Sequence, residues 1–223
     1  DMKKMIFEGD DETLKITENT QPAVVTTSVA CLQPLIENGI KPDFTAGFSL
    51  GEYSAHVASY TVDFKTSVAL VRKRGKYMQE AVPLGVGTMA AIIGLGAEDV
   101  AECCRKASVC GIVEPVNYNC PGQISIAGET RAVQKAMELC TEKGAKRAVQ
   151  LAVSAPFHCS MIKPAGERLA AELQHVAFTE FKTPLIANAT AQVIQSAADI
   201  RELLIKQVSS PVLWEASIRL MLE

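Results

Sequence analysis

Residues Gly47-Phe48-Ser49-Leu50-Gly51 make a G-x-S-x-G run, preceded by the apolar stretch Phe44 to Phe48 and followed by the small residues Ser54, Ala55 and Ala58. This pattern suits a strand that turns sharply into a closely packed helix, with the serine at the apex of the turn. Glycine at both second neighbours of the serine is expected to relieve crowding there. The helix start behind Ser49 offers free N–H groups and a positive dipole end to an oxyanion, with the Leu50 N–H as the donor expected beside the serine. A strand feeding a helix in this way belongs to an α/β architecture.

The rest of the chain supports that class. Thr20-Gln21-Pro22 reads as a helix start, with Thr20 as cap, Ala23 to Glu37 as its body and Pro34 kinking its end. Before it, Glu8-Gly9-Asp10-Asp11-Glu12 reads as a loop or a helix end. Asp63 to Ala81 is a helix whose Ser67, Leu70, Val71, Tyr77, Met78 and Ala81 fall within an arc of about 120°. Arg74 sits in the middle of that apolar arc, where a charge must find a partner or a wet cavity. From Gly87 onward, strands at Thr88–Gly94, Ile112–Tyr118, Gln123–Ala127 and Lys146–Val153 alternate with helices at Ala97–Ser108 and Thr130–Lys143. The order β-α-β-β-α-β is that of a ferredoxin-like unit. It divides the chain into an α/β core made of residues 1–84 and 154–223 and an inserted subdomain of residues 85–153. After it come a loop at Ser154–Cys159, a helix at Lys163–His175, a short strand at Pro184–Asn188, a helix at Ile200–Val208 and a last helix running to Glu223.

Composition excludes several function classes. With a formal net charge of -3, 48% hydrophobic and 21% charged residues, the chain lacks the basic footprint of a nucleic-acid binder. No apolar run has the roughly 18 residues of a membrane span, and no secretory signal opens the chain. The seven cysteines are odd in number and include no CxxC pair, which reads as reduced thiols of a cytoplasmic protein. His56, His158 and His175 do not group with cysteines at metal-ligand spacing, so no metal is expected.

A serine hydroxyl needs a base to become a nucleophile. His56 lies two helical turns past Ser49, too far to reach back, and reads as a surface or core-edge residue; His175 lies at a polar helix end. His158 lies in a loop between strand and helix, where catalytic groups tend to sit. Arg74 either pairs with a carboxylate of the protein or forms a fork for a substrate carboxylate, with Met78 one turn on, facing the same space. The sequon Asn188-Ala189-Thr190 carries little weight without secretion. Lys143, Lys146 and Arg147 form a small basic group, either solvated or facing an acidic partner. On these residues alone, a serine esterase or thioesterase stands beside an acyl-transferring enzyme.

Several stretches taken together are more specific. Thr20-Gln-Pro-Ala23, Gly47-Phe-Ser-Leu-Gly-Glu-Tyr-Ser-Ala55, Arg74-Gly-Lys-Tyr-Met-Gln-Glu-Ala81, Met89-Ala-Ala-Ile-Ile-Gly94, Pro115-Val-Asn-Tyr-Asn119, Pro121-Gly-Gln123, Gly144-Ala-Lys-Arg147 and His158-Cys159 resemble, in order, the malonyl-CoA:acyl carrier protein transacylases and related acyltransferase domains. The resemblance implies a hydrolase-like parallel-sheet core with a ferredoxin-like insertion. It implies Ser49 as nucleophile, His158 as base and Arg74 as the clamp for the free malonyl carboxylate. Leu50 and Phe157 look like malonyl-type choices, and Lys146 and Arg147 would meet the carrier protein. Malonyl-CoA is then a substrate, acyl carrier protein the partner, and no cofactor is implied. The pattern departs from the family at Phe48, where histidine is usual. Two family segments also look absent, so the chain reads as truncated at both ends. One is an N-terminal Gly-Gln-Gly oxyanion segment. The other, expected beyond Glu223, carries the residue whose carbonyl orients the histidine. A carrier-binding remnant without activity is therefore a further alternative.

Overall fold

A computed structural model describes residues 1–153 and 155–223. The loop expected at Ser154–Cys159 is present from residue 155; its first residue lies outside the described residues. The acidic opening holds the helix end the sequence suggested, with α1 (Met2–Glu8), capped by Asp1, stopping at Glu8, but a second helix, α2 (Asp11–Lys15), capped by Asp10, follows after the short break at Gly9–Asp10. Each aspartate accepts from N–H groups of the first turn, a cap that short-range hydropathy does not register.

The long helix α3 (Thr17–Glu37) starts earlier than its sequence suggests. Thr20 is not the cap. It sits inside the first turn and its hydroxyl donates back to the carbonyls of Leu14 and Ile16. Pro22 and Pro34 both lie within the helix. The turn at Ser49 leads to α4 (Gly51–Ala58), and α5 (Phe64–Glu80) begins at an Asp63 cap. Helices α3 and α5 approach closely at Gly75, where an added Cβ would lie 2.5 Å from the Thr17 carbonyl oxygen.

Four strands, β1 (Gly87–Ile93), β2 (Val113–Cys120), β3 (Gln123–Glu129) and β4 (Arg147–Gln150), make an antiparallel sheet in the order β2-β3-β1-β4. Helices α6 (Ala97–Ala107) and α7 (Thr130–Glu142) cover one face. Side chains alternate between faces. Ala90, Ile92, Ile124 and Ile126 pack with Val100, Cys103, Cys104, Val133, Ala136 and Cys140. Met89, Val116 and Ala127 point the other way, onto Cys159 and Phe157. That second contact fixes the His158 segment to the sheet.

The remaining elements are α8 (Lys163–Leu173), β5 (Ile186–Ala187), β6 (Gln192–Val193), α9 (Ala197–Val208) and α10 (Trp214–Leu222). A core of Val25, Tyr53, Leu70, Val71, Met78, Leu169, Leu185, Ile200 and Leu204 joins α8, α9 and the β5 segment to α3, α4 and α5, and α10 packs against β2. The strand expected at Phe44–Phe48 is reduced to a single parallel bridge, Thr45 to Leu185, with Thr45 N–H on Pro184 O at 2.8 Å and Ile186 N–H on Thr45 O at 3.1 Å. Among the described residues this bridge is what stands for the expected parallel core sheet. The β5–β6 hairpin beside it was not expected from the sequence. No helix among the described residues is long and apolar enough to cross a membrane.

Candidate active site

Ser49 occupies the left-handed region at φ 50°, a conformation that costs a non-glycine residue on the order of 1–3 kcal/mol and persists where the surroundings impose it. The imposing contacts are specific. Asn188 Oδ1 accepts from Ser49 N–H at 2.5 Å, and Asn188 Nδ2 donates to Gly47 O at 2.8 Å. The two glycines differ in purpose. A Cβ on Gly47 would lie 2.0 Å from the Gly51 carbonyl group, so Gly47 is required by the turn. A Cβ on Gly51 would meet nothing within 4 Å, contrary to the crowding expected at both positions. The Gly51, Glu52 and Tyr53 N–H groups bond to Phe48, Ser49 and Leu50 carbonyls, while the Leu50 N–H makes no such bond among the described residues.

Ser49 Oγ lies 2.6 Å from His158 Nε2, and His158 Nδ1 lies 3.0 Å from Gln207 O. A carbonyl only accepts, so Nδ1 carries the proton and Nε2 presents its lone pair to the serine hydroxyl. The histidine is buried, and burial, with the Arg74 charge second, pushes its pKa down to about 4. It is neutral at pH 7. The orienting carbonyl expected beyond Glu223 is therefore inside the chain, at the end of α9. A glutamine in an amphipathic helix gives no sign that its main-chain oxygen will be used.

Arg74 is buried, with 2% of its surface exposed. Its NH1 donates to Gln21 Oε1 at 2.9 Å, and its NH2 donates to Gln207 Oε1 at 2.9 Å and to Ser49 Oγ at 3.1 Å. The guanidinium lies 5.4 Å from the Tyr53 ring centroid. Among the described residues it forms no ion pair, and Nε has no partner. Glu52, fully buried on α4 and within reach of the Arg74 charge, binds instead to Gln207 Nε2 at 2.8 Å and Asn188 N–H at 3.1 Å, and burial raises its pKa to about 7.

A cavity of about 660 Å³ joins these groups. Ser49, Leu50, Arg74, Met78, Phe157 and His158 all line it. Phe48 lines it too and packs edge-on against Trp214, centroids 5.7 Å apart. Lys146 and Arg147 do not reach the cavity. They are exposed at the start of β4, whose continuation through Leu151, Ala152 and Val153 forms part of the wall. Lys143 pairs with Asp99 at 2.8 Å and with Glu102. His175 is exposed. His56 is not the surface or core-edge residue expected: it is fully buried, bonded through Nδ1 to Thr61 Oγ1 at 2.8 Å. Among the described residues no group of histidine, cysteine and carboxylate side chains could hold a metal.

Gln21, Glu52, Asn188 and Gln207 were not singled out from the sequence. Gln21 and Glu52 lie within the resembling stretches, and Asn188 is the first residue of the sequon, buried to 1% exposure and turned inward.

The chain belongs to the acyl transferase domain family, whose model matches residues 2–222. Its curated relatives include the malonyl CoA-acyl carrier protein transacylase of Bacillus subtilis strain 168, 50% identical over 218 residues. That match covers 97% of this chain and 69% of the relative. The protein of the same description from Escherichia coli strain K12 is 44% identical over 222 residues, covering 99% of this chain and 72% of the relative. A malonyl-transacylase solved in complex with its type II PKS acyl-carrier protein superposes with a TM-score of 0.97 at 43% identity, covering 100% of this chain and 72% of that one.

Proposed function

We propose that this chain transfers a malonyl group from malonyl-CoA to the phosphopantetheine thiol of an acyl carrier protein, through a malonyl ester on Ser49. The observation that carries this reading is Arg74: a buried guanidinium, held by neutral glutamine oxygens, within hydrogen-bond reach of the nucleophile's oxygen. A cation so placed, with Glu52 near enough to feel its charge but no carboxylate bonded to it among the described residues, suits an acyl group that brings one.

His158 Nε2 takes the Ser49 proton as Oγ attacks the thioester carbonyl. The oxyanion rests on the Leu50 N–H. As the C–S bond breaks, the imidazolium returns the proton to the sulfur and coenzyme A leaves. In the second half the carrier's thiol gives its proton to His158 and attacks the malonyl-serine ester, and Ser49 recovers its hydrogen as the C–O bond breaks. Gln207 O stabilises the imidazolium at Nδ1 in both halves. The chemistry needs no metal or cofactor. Met78, Leu50 and Phe157 shape the acyl pocket, and Lys146 and Arg147, exposed and without ion pairs among the described residues, are contacts for an acidic carrier.

The finer architecture follows the same reading. The four-stranded sheet with α6 and α7 is a ferredoxin-like subdomain, residues 85–153, inserted in a hydrolase-like α/β core of residues 1–84 and 154–223. Its strand order, with the two middle strands β3 and β1 antiparallel and both helices on one face, supports this division.

Incubation with malonyl-CoA followed by peptide mass spectrometry tests the function. A malonyl adduct on Ser49 that discharges to holo carrier protein is expected. An unmodified Ser49 peptide from folded protein leaves a carrier-binding remnant, and free malonate without malonyl-carrier leaves a thioesterase.

A further inference from the structure

A single carboxylate oxygen ties together the parts that make Ser49 reactive. Glu52 Oε2 accepts from Asn188 N–H at 3.1 Å and from Gln207 Nε2 at 2.8 Å. Each of those residues acts on the site with its other groups. The Asn188 side chain grips Gly47 O and Ser49 N–H on the two sides of the strained turn. Gln207 Nε2 also donates to Ser49 O at 2.8 Å, its Oε1 accepts from Arg74, and its main-chain oxygen orients His158. Asn188 follows β5, Gln207 ends α9 and Glu52 opens α4, so three elements distant in sequence meet at one atom. The whole group is buried, with Glu52 at 0%, Asn188 at 1% and Gln207 at 1% exposure. The second oxygen, Oε1, has no partner among the described residues. All of the side chain's hydrogen bonding is thus given to the bridge.

Resting on the serine–histidine reading above, we propose that Glu52 is a positioning residue for the acyl transfer. It touches neither the reacting oxygen nor the imidazole. Its shared acceptor holds the turn clamp and the histidine-orienting carbonyl in register, so that Ser49 Oγ, His158 Nε2 and Arg74 converge. Glutamine at this position keeps an acceptor at the same reach. Aspartate keeps the charge but withdraws the oxygen by about one bond length, and misplacements of about 1 Å typically cost on the order of 10²-fold in rate.

The experiment compares Glu52→Gln, Glu52→Asp and the parent chain by the rate at which a sulfonyl fluoride labels Ser49, and by kcat and KM for malonyl-CoA. Thermal unfolding followed by circular dichroism identifies folded variants. If Glu52→Asp does not fold, Glu52→Met takes its place, since it keeps length and apolar packing without an acceptor. Labelling of Glu52→Gln within a few-fold of the parent is expected, with folded Glu52→Asp slower by about 10²-fold and the loss carried by kcat. Parental labelling in folded Glu52→Asp or Glu52→Met overturns the proposal, as does Glu52→Gln as slow as Glu52→Asp, or a loss confined to KM. Labelling is read without malonyl-CoA, so it decides the role of Glu52 even if the parent transfers no malonyl group.

Discussion

At the residue scale, the site is a neutral histidine beside a buried cation. Burial is the larger cause of the low His158 pKa and Arg74 the second. The acid limb of Ser49 acylation should therefore fall near pH 4 in the parent and move up in Arg74→Ala by the smaller part of the shift, since burial remains. The same variant should lose malonyl-over-acetyl preference by about 1.5–3 kcal/mol, the worth of a charge-assisted hydrogen bond. A limb that stays in place, measured as acylation rate against pH, would remove Arg74 as an electrostatic neighbour; an unchanged preference would remove it as the clamp. The turn offers a paired test. Gly47→Ala drives a Cβ into the Gly51 carbonyl and should abolish Ser49 labelling, whereas Gly51→Ala should keep labelling and shift stability by less than about 1 kcal/mol. Equal effects from the two would mean that the turn is not held as described. Ser49, Arg74 and His158 were readable because each is a reactive type in an unusual setting. Asn188 and Gln207 were not, since an amide in a helix or sequon looks the same whether it faces solvent or a strained backbone.

At the element scale, the α3–α5 contact decides where Arg74 points. Gly75 follows Arg74 and lies against the first turn of α3, one turn before Gln21. Gly75→Ala should separate the two helices, at a cost of about 1–3 kcal/mol for overpacking. Denaturant unfolding reads that cost, and a raised KM for malonyl-CoA reads the loss of Gln21 from the guanidinium. An unchanged KM in a destabilised variant would limit the contact to packing. Helix α5 was legible to within a residue at each end because its apolar arc is long and periodic. The strand at Phe44–Phe48 was not. Its apolar run is short, and only Thr45 pairs, so period and length could not separate a strand from a connecting segment. Helix α2 rests on an aspartate cap in a polar stretch with little hydrophobic pattern to read, and α1, though it carries Met5, Ile6 and Phe7, is too short to establish a period.

For the whole molecule, buried titratable groups set the response to acid. His56 and His158 are pushed from 6.5 down to about 3 and about 4, so the stability they contribute is present above pH 6.5 and lost as the pH falls through those values. Glu52 is raised from 4.5 to about 7, so its contribution runs the other way, present below 4.5 and lost as the pH rises through 7. The two histidines outweigh the one carboxyl, and the unfolding free energy should fall between pH 6.5 and 4. His56→Asn should make that fall shallower; an unchanged slope in denaturant titrations would exclude His56 as a source. The sequence by itself determined the α/β class, the order of elements through residues 87–153 and the serine turn, because local periodicity and residue chemistry carry that information. Only the tertiary structure decided that Gln207 supplies the carbonyl for His158, that Asn188 and Glu52 hold the turn, and that Arg74 hydrogen-bonds to glutamines rather than to a carboxylate. Those facts depend on residues as much as 158 positions apart meeting in a buried space, and contacts at that range leave no periodic trace in the chain.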